Sequence, residues 1–378
     1  MLHHIGVTAK SPPVIAIDLL RFACAMLVLV HHFGWAFGAI PEARVAVVLP
    51  GAPRLELAHA GSVGVELFFV ISGMVIARSA VGAHWRGFLR QRVLRLAPAA
   101  WICATATLIA VTLDGRGDAA LLGDWWRSMR FWPIGDQIDG SYWTLGVEVS
   151  FYLMITAAVG GRGDARTIER FGWILGAASA VFWIACLSVE GMRPLMMSQT
   201  VILLLLPHGC LFALGMVIAA RPATGFDPAR RLGLVALIAI CAVETGAHIS
   251  GWRPTGSMAL AQIVLAAGLA IVFAADRLQP MLSRWITPDQ GRAIGVMTYP
   301  LYLLHQEIGA TVAGAAMRAG AGYGPASVLA VAAVMAMAWA VARFGEPVLR
   351  RALARFLDGC ARTATGLAAR RRAGSIVH

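Results

Sequence analysis

Apolar runs long enough to cross a bilayer as helices recur along the whole chain, and no stretch between them reaches the size of a soluble domain. Ten candidate spans can be read: about 14–37, 61–80, 96–113, 144–160, 171–190, 199–220, 231–250, 257–275, 293–312 and 325–345. Composition agrees, because 58% of residues are hydrophobic and only 14% charged, against about a quarter charged in soluble domains. The expected fold is all-α, a polytopic membrane protein of about ten transmembrane helices. Residues 1–350 are expected to form the membrane domain and 351–378 a basic tail.

Charge placement orients these spans. Arg78, Arg86, Arg90, Arg92 and Arg95 follow the second run without an acid, and Arg350, Arg351, Arg355, Arg362 and Arg370 to Arg372 follow the last with Asp358 alone. Arginine-rich loops stay on the cytoplasmic side, so both termini are expected there. Loop 221–231 then falls inside, and the acidic loop 114–142 outside. That loop also carries Trp125, Trp126 and Trp132, as expected of a lid at the interface. The net charge of +12 is therefore a topology signal, and no nucleic-acid partner is expected. The six cysteines show no C-x-x-C pair, so neither a disulfide framework nor a zinc site is suggested. The first run lacks a signal-peptide pattern and should be retained.

Charge inside the first span points to function. Asp18, Arg21, His31 and His32 lie in an otherwise apolar helix. At about 100° per residue, Arg21 and His32 fall within about 20° of one another, and His32 sits about 16 Å deeper. Asp18 and Arg21 can snorkel to the surface, but His32 cannot, and a buried ionisable group usually faces a bundle interior or wet cavity. A neutral imidazole there can take a proton from a hydroxyl as its oxygen attacks an acyl carbon.

Further polar groups repeat the theme. Glu66 and Ser72 stand in the second span among glycines that favour close helix packing. Arg92 and Arg95 share a helical face and suit a phosphate, although topology explains their sign equally well. Trp143 can anchor the interface or stack on a sugar, and Glu148 lies deeper on the same span. His305 and Glu307 form another ionisable cluster, and Glu346 can pair with an arginine at the inner surface. No internal repeat was found, which weakens a transporter reading, and no P-loop, Rossmann fingerprint, G-x-S-x-G or H-E-x-x-H occurs.

Six motifs in register, Ile17-Asp-Leu-Leu-Arg-Phe-Ala with His32, Phe68-Phe-Val-Ile-Ser-Gly73, Arg92-Val-Leu-Arg-Leu-Ala-Pro98, Tyr142-Trp-Thr-Leu-Gly-Val-Glu-Val-Ser-Phe-Tyr152, Tyr299-Pro-Leu-Tyr-Leu-Leu-His305 and Glu346-Pro347, resemble the acyltransferase 3 family. The resemblance implies transfer of an acyl group, often acetyl, from cytoplasmic acetyl-CoA to a hydroxyl of an extracytoplasmic polysaccharide or lipid-linked sugar. It implies catalytic roles for His32, Arg21 and Glu148, donor binding by Arg92 and Arg95, and substrate contacts from Trp143, with His305 and Glu66 as further candidates. It also implies a bacterial inner-membrane location, acyl-CoA as a donor substrate, no permanently bound cofactor, and contact with membrane lipids. The chain ends soon after its last span, so the expectation is a single-domain polysaccharide modifier. A transporter or flippase for a glycan-related substrate, and a non-catalytic scaffold, are the other readings.

Overall fold

A computed structural model of the chain describes residues 14–37, 49, 52–161, 163–221, 225–250 and 256–374. The expected cytoplasmic N-terminus, most of loop 38–60, residues 222–224 of loop 221–231 and the last four residues of the tail lie outside the described residues.

The chain folds into helices α1 (Ile15–Ala36), α2 (Glu56–Ala80) and α3 (Trp85–Arg116), then the short α4 (Ala119–Met129). These are followed by α5 (Gly140–Val159) and α6 (Ala165–Ser188), α7 (Gln199–Leu203) and α8 (Gly209–Ala219). Next come α9 (Pro228–Ser250) and α10 (Ser257–Leu282), then α11 (Pro288–Leu304) and α12 (Glu307–Arg318). The last is α13 (Tyr323–Cys360). Eight of these helices are long and apolar enough to cross a membrane, which makes the protein a multi-pass membrane protein.

The other two expected spans are interrupted. Within 199–220, α7 ends at Leu203, Leu205 adopts φ 58°, and Pro207 precedes α8. Proline cannot donate the backbone bond a continuous helix needs, and a left-handed leucine ends helical geometry. Within 293–312, α11 stops at Leu304 and α12 restarts at Glu307, whose backbone N–H donates to Asp139 Oδ2 at 2.9 Å. Asp139 thus caps the second half, a partner a sequence pattern does not reveal. Its Oδ1 accepts from Ser141 N and Oγ at 2.8 and 2.6 Å, and burial pushes its carboxyl up to about 6.

The short α8 is the centre of the bundle. Its residues from Gly209 to Ile218 are all buried, as befits a helix that is apolar all round. It packs against α2 at backbone distance: a Cβ on Gly73 would lie 2.1 Å from Phe212 O, and one on Gly215 would lie 1.9 Å from Val70 O. Neither obstacle is a side chain that can swing away. Gly215→Ala is therefore expected to cost about 1–3 kcal/mol, read as a lower unfolding midpoint in detergent. Gly161→Ala, where a Cβ meets nothing within 4 Å, should leave the midpoint unchanged.

One end of the bundle gathers the arginines. Pro98 lies inside α3 and lacks an N–H, which deprives Leu94 O of its helical partner. Arg350 Nε from α13 takes that carbonyl at 3.0 Å. Glu346 pairs with Arg350 and with Arg95 (3.7 Å), as expected of it, and Arg90 reaches Asp358 at 2.9 Å. The helix runs unbroken through 350 and 351, so the basic tail begins as a continuation of α13 docked on α3. At the opposite end, α4 forms the body of the acidic loop. Trp101 Nε1 donates to Met129 O at 2.7 Å and Trp125 Nε1 to Thr105 Oγ1 at 3.3 Å, while Trp126 and Trp132 stay exposed.

Candidate active site

A cavity of about 830 Å³ (open solvent at its mouth included) lies between α1, α2, α3, α5 and α11. Three arginines, Arg21, Arg92 and Arg95, line it alongside Glu148, Tyr152, Tyr299 and Tyr302; Phe68 and Leu145 are among its apolar walls. The stripe on α1 and the Arg92–Arg95 face on α3 therefore converge on one space. Arg92 lies over the rings of Phe88 (5.3 Å) and Tyr152 (5.8 Å), and Arg95 over Tyr299 (5.2 Å). Stacking of this kind fixes a guanidinium plane without neutralising it. Among the described residues neither Arg21 nor Arg92 forms an ion pair, and Glu148 is hydrogen-bonded by the Tyr152 hydroxyl. Arg95 is paired with Glu346, so the positive charge at Arg21 and Arg92 is what suits an anion such as a phosphate.

Tyr302 connects this cavity to His32. It lines the cavity, meets Phe68 at a centroid distance of 5.7 Å, and meets His305 at 5.6 Å. His305 Nδ1 lies 2.7 Å from Tyr302 O, His305 Nε2 lies 3.1 Å from His32 Nδ1, and His32 Nδ1 lies 2.9 Å from Val28 O. Carbonyls only accept, so with both rings neutral each Nδ1 carries its proton. His305 Nδ1–H donates to Tyr302 O, which leaves His305 Nε2 as an acceptor for His32 Nδ1–H. His32 Nε2 then holds the lone pair, and no hydrogen bond to it is formed among the described residues. That arrangement leaves a nitrogen able to accept a proton, on a ring whose tautomer is set by its neighbour.

Backbone geometry positions this ring. His32 opens a widened π-type turn, His32–Ala36, at the end of α1, a feature frequent at functional sites. The break after Leu304 turns His305 towards it. His31 stacks on His59 at 5.5 Å, which in turn stacks on Trp35 at 4.6 Å, and it meets the His32 ring edge-on at 5.1 Å.

Other expected site residues fall in different places. Glu148 lines the arginine cavity and bonds Tyr152, whereas His305 is the residue that touches His32. Glu307 takes Arg116 at 3.4 Å, and Arg116 Nη2 donates to Thr311 Oγ1 at 2.6 Å. Trp143 is 39% exposed and packs beside Phe69 and His208. Glu66 lies in a separate cluster, 3.3 Å from His248 Nδ1. The sequence reading missed that cluster. A glutamate and a histidine four apart in an apolar span, Glu244 and His248, were the available signal.

Comparison with known proteins agrees with the geometry. The acyltransferase domain family, acyltransferase 3, matches residues 14–343. A regulator of hypoxia-inducible factor 1 from Caenorhabditis elegans is 25% identical over 181 residues, 39% of this chain and 34% of that protein. A putative peptidoglycan O-acetyltransferase, YrhL of Bacillus subtilis (strain 168), is 28% identical over 163 residues, 36% of this chain and 22% of that protein. The matched stretches thus span only about a third and a fifth of these relatives. No solved structure matches the chain. The match across residues 14–343 covers nearly all the membrane helices, and the chain, a multi-pass membrane protein, belongs to the acyltransferase 3 family.

Proposed function

We propose that this protein moves an acyl group, acetyl in the simplest case, from a cytoplasmic acyl-CoA to a hydroxyl of an extracytoplasmic polysaccharide or lipid-linked saccharide, in a bacterial inner membrane. The observation that carries the reading is the line from the arginine cavity through Tyr302 to the His32–His305 pair. The cavity shares its end of the bundle with the basic segments of α3 and α13, which positive-inside bias assigns to the cytoplasm. Arg21, Arg92 and Arg95 hold the donor phosphates, and the apolar walls take the extended arm that carries the thioester. An acceptor hydroxyl approaches from the opposite end, where Trp143 offers a face for a sugar ring and the lid carries exposed tryptophans. The O-acetyltransferase name of the Bacillus relative supports a glycan acceptor.

His32 Nε2 takes the hydroxyl proton as the oxygen attacks the thioester carbonyl carbon. Collapse of the tetrahedral intermediate breaks the carbon–sulfur bond, and the departing thiolate recovers the proton from His32. The products are the acyl ester and free CoA. Purified protein in lipid nanodiscs, given acetyl-CoA and a glycan acceptor, should release free CoA in step with a mass gain on the glycan. A transporter releases none, and that result overturns the reading. Mass spectrometry of surface glycans from cells with and without the gene then identifies acyl group and sugar together.

A further inference from the structure

The second polar cluster lies behind Phe69, a wall of the arginine cavity, and Trp143. Glu66 comes from α2, His208 from the residue before α8, and Glu244 and His248 from one face of α9. His208 and Glu244 are 1% and 0% exposed, Glu66 is 3%, and the His248 side chain is 27%. The His208 ring lies 5.2 Å from that of Phe69, 5.6 Å from Trp143 and 5.3 Å from His248.

We propose that Glu66, His208, Glu244 and His248 bind one divalent transition-metal ion of the zinc kind. Distances carry the argument first. His208 Nδ1 is 2.8 Å from Glu244 Oε1, His248 Nδ1 is 3.8 Å from the same oxygen, and His248 Nδ1 is 3.3 Å from Glu66 Oε1. A tetrahedral zinc with bonds of about 2.0–2.2 Å sets its ligands about 3.3–3.6 Å apart. The observed separations bracket that edge length, and one donor atom each from His208, Glu244 and His248 lies within 4.8 Å of the others. Small side-chain rotations close the set.

Hydrogen bonding within the cluster does not satisfy it. Glu66 Oε2 and Glu244 Oε2 are buried without a hydrogen-bond partner. Two ionised carboxylates in an apolar interior are costly without positive charge beside them, and the two imidazoles are the groups at hand. A divalent ion with two carboxylates and two neutral imidazoles is electrically balanced. Imidazole with carboxylate is a donor set that takes zinc. Four protein ligands make a closed site, so the ion is a clasp joining α2, α8 and α9 behind the Trp143 face.

The test uses the full chain in detergent, purified with a tag free of histidine and stripped with chelator. Equilibrium dialysis against zinc and elemental analysis should find about one zinc per chain, and zinc should raise the unfolding midpoint. Cobalt in its place should give the visible bands of a tetrahedral nitrogen and oxygen site, which needs no variant. Glu244→Gln and His248→Gln should each lower zinc affinity at least tenfold, whereas His32→Ala should keep it. Wild-type protein that takes up less than about a tenth of an equivalent, or variants that bind as the wild type does, overturns the proposal. Acyl transfer is not the readout, so the result stands apart from the assignment of the enzyme's reaction.

Discussion

His32→Ala is expected to lower acyl transfer about 10²- to 10⁴-fold, the usual contribution of a positioned general base, while the amount of protein in the membrane stays constant. The expectation rests on the free Nε2 lone pair, which a neutral alanine cannot replace. His305→Ala should have a smaller effect, about tenfold, because it removes one hydrogen bond to His32 Nδ1–H and leaves Val28 O as the remaining acceptor. His31→Ala should have the smallest effect of the three, since its ring stacks on His59 and meets His32 only edge-on at 5.1 Å, with no hydrogen bond to the pair among the described residues. Free CoA release and acyl-glycan yield, measured on the three variants at matched membrane abundance, check the order. Full activity in His32→Ala contradicts the assignment of the base.

The second large effect is expected at the cavity. Arg92→Gln should raise the donor KM about ten- to a hundredfold, the loss of a charge-assisted hydrogen bond to a phosphate. Because Arg92 has no carboxylate partner among the described residues, its removal strands no buried acid, and the effect falls on binding rather than on folding. Arg86→Gln is the control. Arg86 belongs to the same basic stretch but is exposed and lies over Trp85, outside the cavity lining. An unchanged KM there and a raised one for Arg92→Gln shows recognition by position. Equal effects from both point to surface charge alone.

Arg21 and His32 could be placed on one stripe from helical periodicity alone, because a helix fixes the angle between any two of its residues. Arg92 and Arg95 shared a face for the same reason. What their arginines faced was not legible, since Arg21, Arg92 and Glu148 sit on three helices whose mutual rotation depends on packing. His305 as the neighbour of His32 shows the limit most clearly. The two are 273 positions apart, and their contact needs a break after Leu304 that Asp139 caps from another part of the chain. The expected spans at 199–220 and 293–312 meet the same limit, because apolar composition persists through breaks in the backbone.

The sequence by itself determined the helical class, the membrane, the family and the identity of the residues able to hold protons and phosphates. Apolar length and local periodicity decide these, and both are written along a single helix. Only the tertiary structure decided which polar groups meet. It brought three arginines to one cavity, turned His32 Nε2 free by tying Nδ1 to His305, and gathered Glu66, His208, Glu244 and His248 into a cluster of their own. The reason is physical: in an apolar interior a polar group must find its partner across helices, and the close approach of backbones at Gly73 and Gly215 sets which helices are near enough to supply one.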